Sequence, residues 1–192
     1  MLAVSPAMRL NQYLRSIPPD RWRALFLAVL AVVVVVVSIK YAIKAEKPSR
    51  LNTQTRTAFL RWRDTIQKLE AGENIYLGNP FPTPPIQALV LWPFTELPPL
   101  TGALLWFYAK VAMAVACLLW AFRFCTDPTG PPIPDAAKLA AILFSLHPLL
   151  GDLSHGNVNI FIAFLVFAGL ECFRRRWDFA CGFIVGFAAA CK

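Results

Sequence analysis

Residues 24–37 read ALFLAVLAVVVVVV, fourteen apolar side chains without a break, the last six all valine. Continued past Ser38 and Lys40 to Ile43, the stretch reaches about 20 residues, the length an α-helix needs to cross the hydrocarbon of a bilayer. Arg21 and Arg23 precede it, and Lys40, Lys44 and Lys47 lie at and beyond its end. A secretory leader carries small uncharged residues after its apolar core. This one meets lysines, so the reading is an uncleaved anchor. Backbone inside lipid must satisfy its hydrogen bonds within the segment, which sets the expected class as all-α.

The rest of the chain repeats that pattern. Of 192 residues, 57% are hydrophobic and only 16% charged, against about 25% charged in an ordinary soluble domain. Apolar blocks recur at 86–92, 100–122, 136–150, 157–173 and 179–191. Seven prolines lie between Pro80 and Pro99 and bar a regular helix before Ile86. The block 86–92 is too short to cross before Pro93 and reads as re-entrant. The expected architecture is a polytopic α-helical membrane protein, ending after about five hydrophobic segments with its last span unfinished, like the front of a longer protein. Its parts are a cytoplasmic tail (1–23), an anchor (24–43), an extracytoplasmic loop with an amphipathic helix (44–85) and a membrane bundle (86–192). An N-inside start with crossings at 24–43, 100–122, 136–150 and 157–173 returns Arg174, Arg175 and Arg176 to the cytoplasm.

The formal net charge of +8 comes from 19 Lys and Arg against 11 Asp and Glu. In a soluble domain such an excess suggests nucleic acid. Here the basic residues sit between apolar blocks, so topology and anionic lipid headgroups account for them and no nucleic-acid partner is expected. The five cysteines form no CxxC pair and lie in or beside apolar stretches. They read as small buried residues, with no disulfide framework and no metal site.

Two polar tracts could carry chemistry. In residues 57–69, Phe59, Leu60, Ile66 and Leu69 share one helical face, and Ala71-Gly72 ends the helix. Arg56, Arg61, Arg63 and Lys68 form a basic cluster suited to a phosphate or diphosphate, because guanidinium matches phosphate oxygens in paired hydrogen bonds. Asp64, among these cations, would be held ionised as a base for a hydroxyl proton. An interfacial helix whose basic face meets headgroups would show the same pattern. The second tract, Asp152-Leu153-Ser154-His155-Gly156-Asn157-Val158-Asn159, sits between two oily blocks. Polar side chains there are costly facing lipid and belong in a cavity or inside the bundle. Asp152 with His155 could form an acid–base or phosphate-binding pair, and Asn157 and Asn159 could hydrogen-bond a sugar. A turn at Gly156 with an asparagine N-cap is the simpler alternative. Lys110, inside a span, is read as snorkelling or pairing with an acid such as Glu96.

The order of motifs resembles glycosyltransferase family 87. Leu69-Glu70-Ala71-Gly72-Glu73-Asn74-Ile75-Tyr76 is followed by Pro84-Pro85, Pro93, Pro98-Pro99, Gly156-Asn157-Val158-Asn159 and Gly182-Phe183-Ile184-Val185-Gly186. The resemblance covers roughly residues 55–192 and implies a GT-C-like membrane enzyme in a bacterial plasma membrane. It further implies inverting transfer of a hexose, mannose or a relative, from a polyprenyl-phosphate-linked donor to a lipid or glycan acceptor, with no cofactor. Tyr76 enters the site on this basis. The sequence departs from the family where an acid opens the loop, since Ala58 stands there and Asp64 is the nearest acid. Asn157 replaces the family's Gln before the helix, Thr83 replaces a Tyr before the proline doublet, and family members are longer. A non-catalytic membrane scaffold or headgroup-binding subunit is the competing function.

Overall fold

The structure, a computed structural model, describes residues 18–46, 57–76, 81, 84–126, 129 and 133–192. Arg56 and Thr83 lie outside the described residues. Seven α-helices, and no strand, occur among those described: α1 Pro19–Glu46, α2 Ala58–Glu70, α3 Pro85–Thr95, α4 Pro99–Cys125, α5 Asp135–His155, α6 Asn159–Arg174 and α7 Asp178–Ala190. The all-helical class is therefore as expected.

The chain forms two compact units whose boundary, Val37/Ser38, falls inside α1. The first contains the valine-rich part of that helix, and the second runs from Ser38 through α7. Among the described residues two helices are long and apolar enough to cross a membrane, Leu27–Glu46 within α1 and Pro99–Cys125; α7 is apolar but short.

Prolines mark the helix starts. α3 and α4 open with Pro85 and Pro99 in the first turn, each preceded by an extended proline. Proline suits that position because its missing N–H would be unpaired there anyway. Pro93 and Pro148 lie inside α3 and α5. Each removes one intrahelical bond but stops neither helix. α3 runs on to Thr95 and α5 to His155, so Asp152, Ser154 and His155 stand on the last turn of a helix rather than in a loop.

In the second unit α4 is the central element. Its Trp106 ring lies 5.5 Å from Phe94 of α3 and 6.1 Å from Phe161 of α6. Further along, Trp120 meets Phe164 and Phe124 stacks on Phe167, so α4 and α6 run parallel. Helix α7 returns antiparallel to α6, with Phe187 against Phe161. On α2, Phe59, Leu60 and Ile66 are buried while Leu69 is partly exposed. A Schellman cap closes α2 at Gly72 (φ +73), where Gly72 N donates to Leu69 O and Glu73 N to Lys68 O. Of the cysteines, all free, only Cys191 is buried and Cys125 is exposed, because it falls on the last turn of α4.

Candidate functional site

The second polar tract is organised by Lys110. Its side chain is fully buried on α4, and Nζ donates to Asp152 O at 3.0 Å and lies 3.4 Å from Asp152 Oδ2. It neither snorkels nor reaches Glu96, the pairing expected from sequence. The physical reason is its position in the middle of α4, where the last turn of α5 brings a carboxylate within reach. A buried ammonium must be paired to be tolerated.

The chain of contacts continues. Asn159, in the first turn of α6, donates Nδ2 to Asp152 Oδ1 at 2.9 Å, and its Oδ1 accepts from Lys192 Nζ at 2.8 Å. Cation, carboxylate, amide and cation alternate, each amide end facing the charge it suits. Asn159 does not cap α6: the N-cap is Val158, without a side-chain bond. Asn157 lies half-buried in the intervening turn. His155 Nδ1 lies 2.7 Å from Gly151 O. A carbonyl can only accept, so Nδ1 carries the proton of this contact. Ser154 Oγ donates to Gly151 O at 2.9 Å, and Lys44 Nζ to Ser154 O at 3.4 Å.

Gly156 ends α5 in the left-handed region (φ +76), its N–H on Asp152 O at 3.0 Å. Glycine is favoured here on two counts. The conformation disfavours any Cβ, and a Cβ would sit 3.2 Å from the Tyr41 hydroxyl, 3.4 Å from Thr57 Cβ and 3.5 Å from Ala58 N. The end of α1, the start of α2 and the α5–α6 turn therefore meet at this one residue.

Helix α2 carries the first polar tract. Arg63 is committed to the scaffold, donating to Leu97 O and to Gln67 Oε1, both at 3.4 Å, while Gln67 Nε2 donates to Thr95 O at 3.2 Å. Together they hold the α3–α4 turn against α2. Arg61, Asp64 and Lys68 are exposed. Asp64 is six residues past Ala58, about 9 Å along the helix from the Gly156 junction. At the far end, Trp92 Nε1 donates to Glu70 Oε1. Glu70 also pushes the Glu96 carboxyl above its ordinary range, by hydrogen bond and by charge. Tyr76 is exposed in the turn after α2, its N–H on Asn74 Oδ1 at 2.9 Å. Arg56, the remaining member of the cluster, lies outside the described residues.

The expected pairing of Asp152 with His155 gives way to Asp152 with Lys110 and Asn159, while His155 turns to Gly151 O; the sequence also left the partner of Lys110 unseen and did not single out Lys192 or Tyr41. Lys110 was visible as the lone cation of an apolar span, but its partner was not. Lys192 carries no local signal at all. Tyr41 is an unremarkable aromatic until Gly156 is placed against it. Among the described residues no cluster of His, Cys, Asp and Glu could hold a metal ion.

A family model for glycosyltransferase family 87 matches residues 81–192, more than half of the chain. The match takes in α3 through α7, and with them Lys110, Asp152, Asn157, Asn159 and Lys192. Helix α2, with Asp64, lies before it. No curated protein and no solved structure matches the chain.

Proposed function

The chain belongs to glycosyltransferase family 87, and on that premise we propose that it transfers a hexose from a polyprenyl-phosphate-linked donor to a lipid or glycan acceptor with inversion. In this reading the protein is multi-pass, sits in a bacterial plasma membrane, and takes mannose or a close relative. The observation that carries the site is the packing at Gly156. It sets the start of α2 against the turn between α5 and α6, which supports reading the exposed Asp64 and the turn bearing His155 and Asn157 as one site.

Each group then has a task. Asp64, between Arg61 and Lys68, takes the proton of the acceptor hydroxyl. The freed oxygen attacks the anomeric carbon from the face opposite the phosphate, and the sugar–phosphate bond breaks with its electron pair on the lipid phosphate. Arg56, Arg61 and Lys68 supply the positive charge that steadies that leaving group, and His155 lines the phosphate side of the same site. Asn157 and Tyr76 hydrogen-bond the sugar. Asp152 and Asn159 already have partners in Lys110 and Lys192, so they hold the turn in shape and present Lys192 at the same surface. Arg63 contributes by fixing α2 on the α3–α4 turn.

The test is Asp64→Asn in the full chain, assayed for sugar transfer from a polyprenyl-phosphate donor. Turnover is expected to fall by at least about tenfold, a conservative threshold against the roughly hundredfold or more that a general base typically contributes, with folded protein recovered in normal yield. Unchanged turnover would remove Asp64 from the site.

A further inference from the structure

The opposite end of the α4–α6 pair carries a second charged assembly that the transfer reaction does not use. Glu171 is buried near the end of α6, and three arginines converge on it. Arg174 donates Nε to Oε2 at 3.1 Å and Nη2 to Oε1 at 3.2 Å. Arg175 Nε reaches Oε1 at 2.6 Å, and Arg123, from the end of α4, stands 3.3 Å from the same oxygen. Arg175 also lies over the Trp177 ring at 5.4 Å. Beside this cluster is a groove of about 500 Å³ lined by Arg123, Phe124, Thr126 and Arg174. The side chains of Arg123 and Arg174 are 52% and 48% exposed. Their N–H donors not engaged by Glu171 are left to the groove.

Charge does not balance here. Counting Arg176 and the Asp178 that opens α7, four arginines stand against two acids. Attraction to the carbonyl ends of α4 and α6 accounts for basic residues in those last turns. It does not account for guanidinium forks held by one buried carboxylate beside an open groove. Forks fixed in advance lose little freedom when they take a tetrahedral oxyanion, the use arginine serves better than lysine. Phe173, Trp177 and Phe179, the last 90% exposed, surround the same end. Of these Trp177 carries the signal, because the amphipathic ring of an exposed tryptophan suits the headgroup level of a membrane.

We propose that the groove between the ends of α4 and α6 binds the phosphate of an anionic lipid headgroup, gripped by Arg123 and Arg174, with Glu171 holding both in register. Twelve residues separate Asn159 from Glu171, about 18 Å of helix. The site is thus distinct from the polar surface at Gly156, and its fate is independent of the transfer reaction.

The full chain, purified in detergent, is titrated with phosphatidylglycerol or phosphatidylcholine and the bound lipid counted by native mass spectrometry. One phosphatidylglycerol is expected to stay bound in preference to phosphatidylcholine. Arg123→Gln should lower its retention by about fivefold or more, and Arg123→Lys by less, since it keeps the charge and loses the fork. Lys138→Gln, which removes an exposed charge from the same end but outside the groove, should change nothing. Thermal midpoints in detergent confirm that each variant is folded, and Arg123→Lys keeps the comparison alive should Arg123→Gln unfold. Equal loss in the Lys138 variant, equal retention of both lipids, or displacement by inorganic phosphate at matched concentration would each overturn the assignment. The last would mean a soluble phosphate ligand.

Discussion

Lys110 and Asp152 form a buried ion pair in the second unit. The lysine side chain is fully buried and the aspartate 9% exposed. The ammonium is cut off from water and depends on the carboxylate for its partner. Removing one member of a buried pair leaves an unpaired charge and costs about 3–5 kcal/mol, whereas replacing both with apolar residues of similar volume is often neutral or stabilising. Lys110→Met alone and Asp152→Leu alone are therefore each expected to lower the denaturation midpoint in detergent sharply. The double variant is expected to recover most of the loss. If the double variant falls by the sum of the two singles, the pair is not an isolated couple and the contacts through Asn159 carry the difference. Arg176 is a quieter case of local constraint. It holds the left-handed position (φ 62) of the cap that closes α6, with Arg176 N on Phe173 O and Trp177 N on Cys172 O, where glycine is the usual occupant.

Between elements, the tightest approach is that of α3 on α4. A Cβ built on Gly102 would run into the carbonyl of Phe94, with the Phe59 ring 3.5 Å away. The obstruction is backbone, which cannot rotate aside as a side chain can. Gly102→Ala is expected to cost about 1–3 kcal/mol, the range for forcing extra volume into a packed interior. It should also loosen the α2–α3–α4 corner, seen as faster amide exchange in α3. Gly169 is the milder comparison, since the one close approach of its Cβ would be to a Val185 methyl at 2.8 Å, a side chain and not backbone. Much of this level was legible in the sequence. Apolar runs located the helices, proline doublets their starts, and Ala71-Gly72 the end of α2. What misled was punctuation inside α5. Pro148, Gly151 and a polar tract look like a loop, yet Asp152 to His155 continue the helix because Lys110 and Asn159 reward that placement from other elements. Pairings of that kind connect residues dozens of positions apart and leave no local pattern. For the same reason Arg63, read as a phosphate ligand, could not be seen from sequence to be bound to the α3–α4 turn.

At the scale of the whole second unit, the helix directions make a statement about sidedness. α4 and α6 are parallel, and α5 must run against α4 for Asp152 to reach Lys110 from its last turn. The Gly156 junction and the Thr95–Leu97 turn therefore gather toward one end. Cys125, Arg174 and the groove gather toward the other. If α4 crosses the membrane, as its 27 residues allow, the proposed reaction surface and the arginine groove lie on opposite faces of it. The run of arginines at that end then predicts a cytoplasmic groove. Cysteine labelling can decide this. In a variant that keeps only Cys125, which is exposed, a membrane-impermeant maleimide is expected to react in inverted vesicles and to leave intact cells unlabelled. In a cysteine-free background, Tyr76→Cys, exposed in the turn after α2, is expected to label from outside. Labelling of both positions from the same face would mean that α4 does not cross. The polar surface and the arginine groove would then share one aqueous compartment, and the separation of transfer from lipid binding would have to be abandoned.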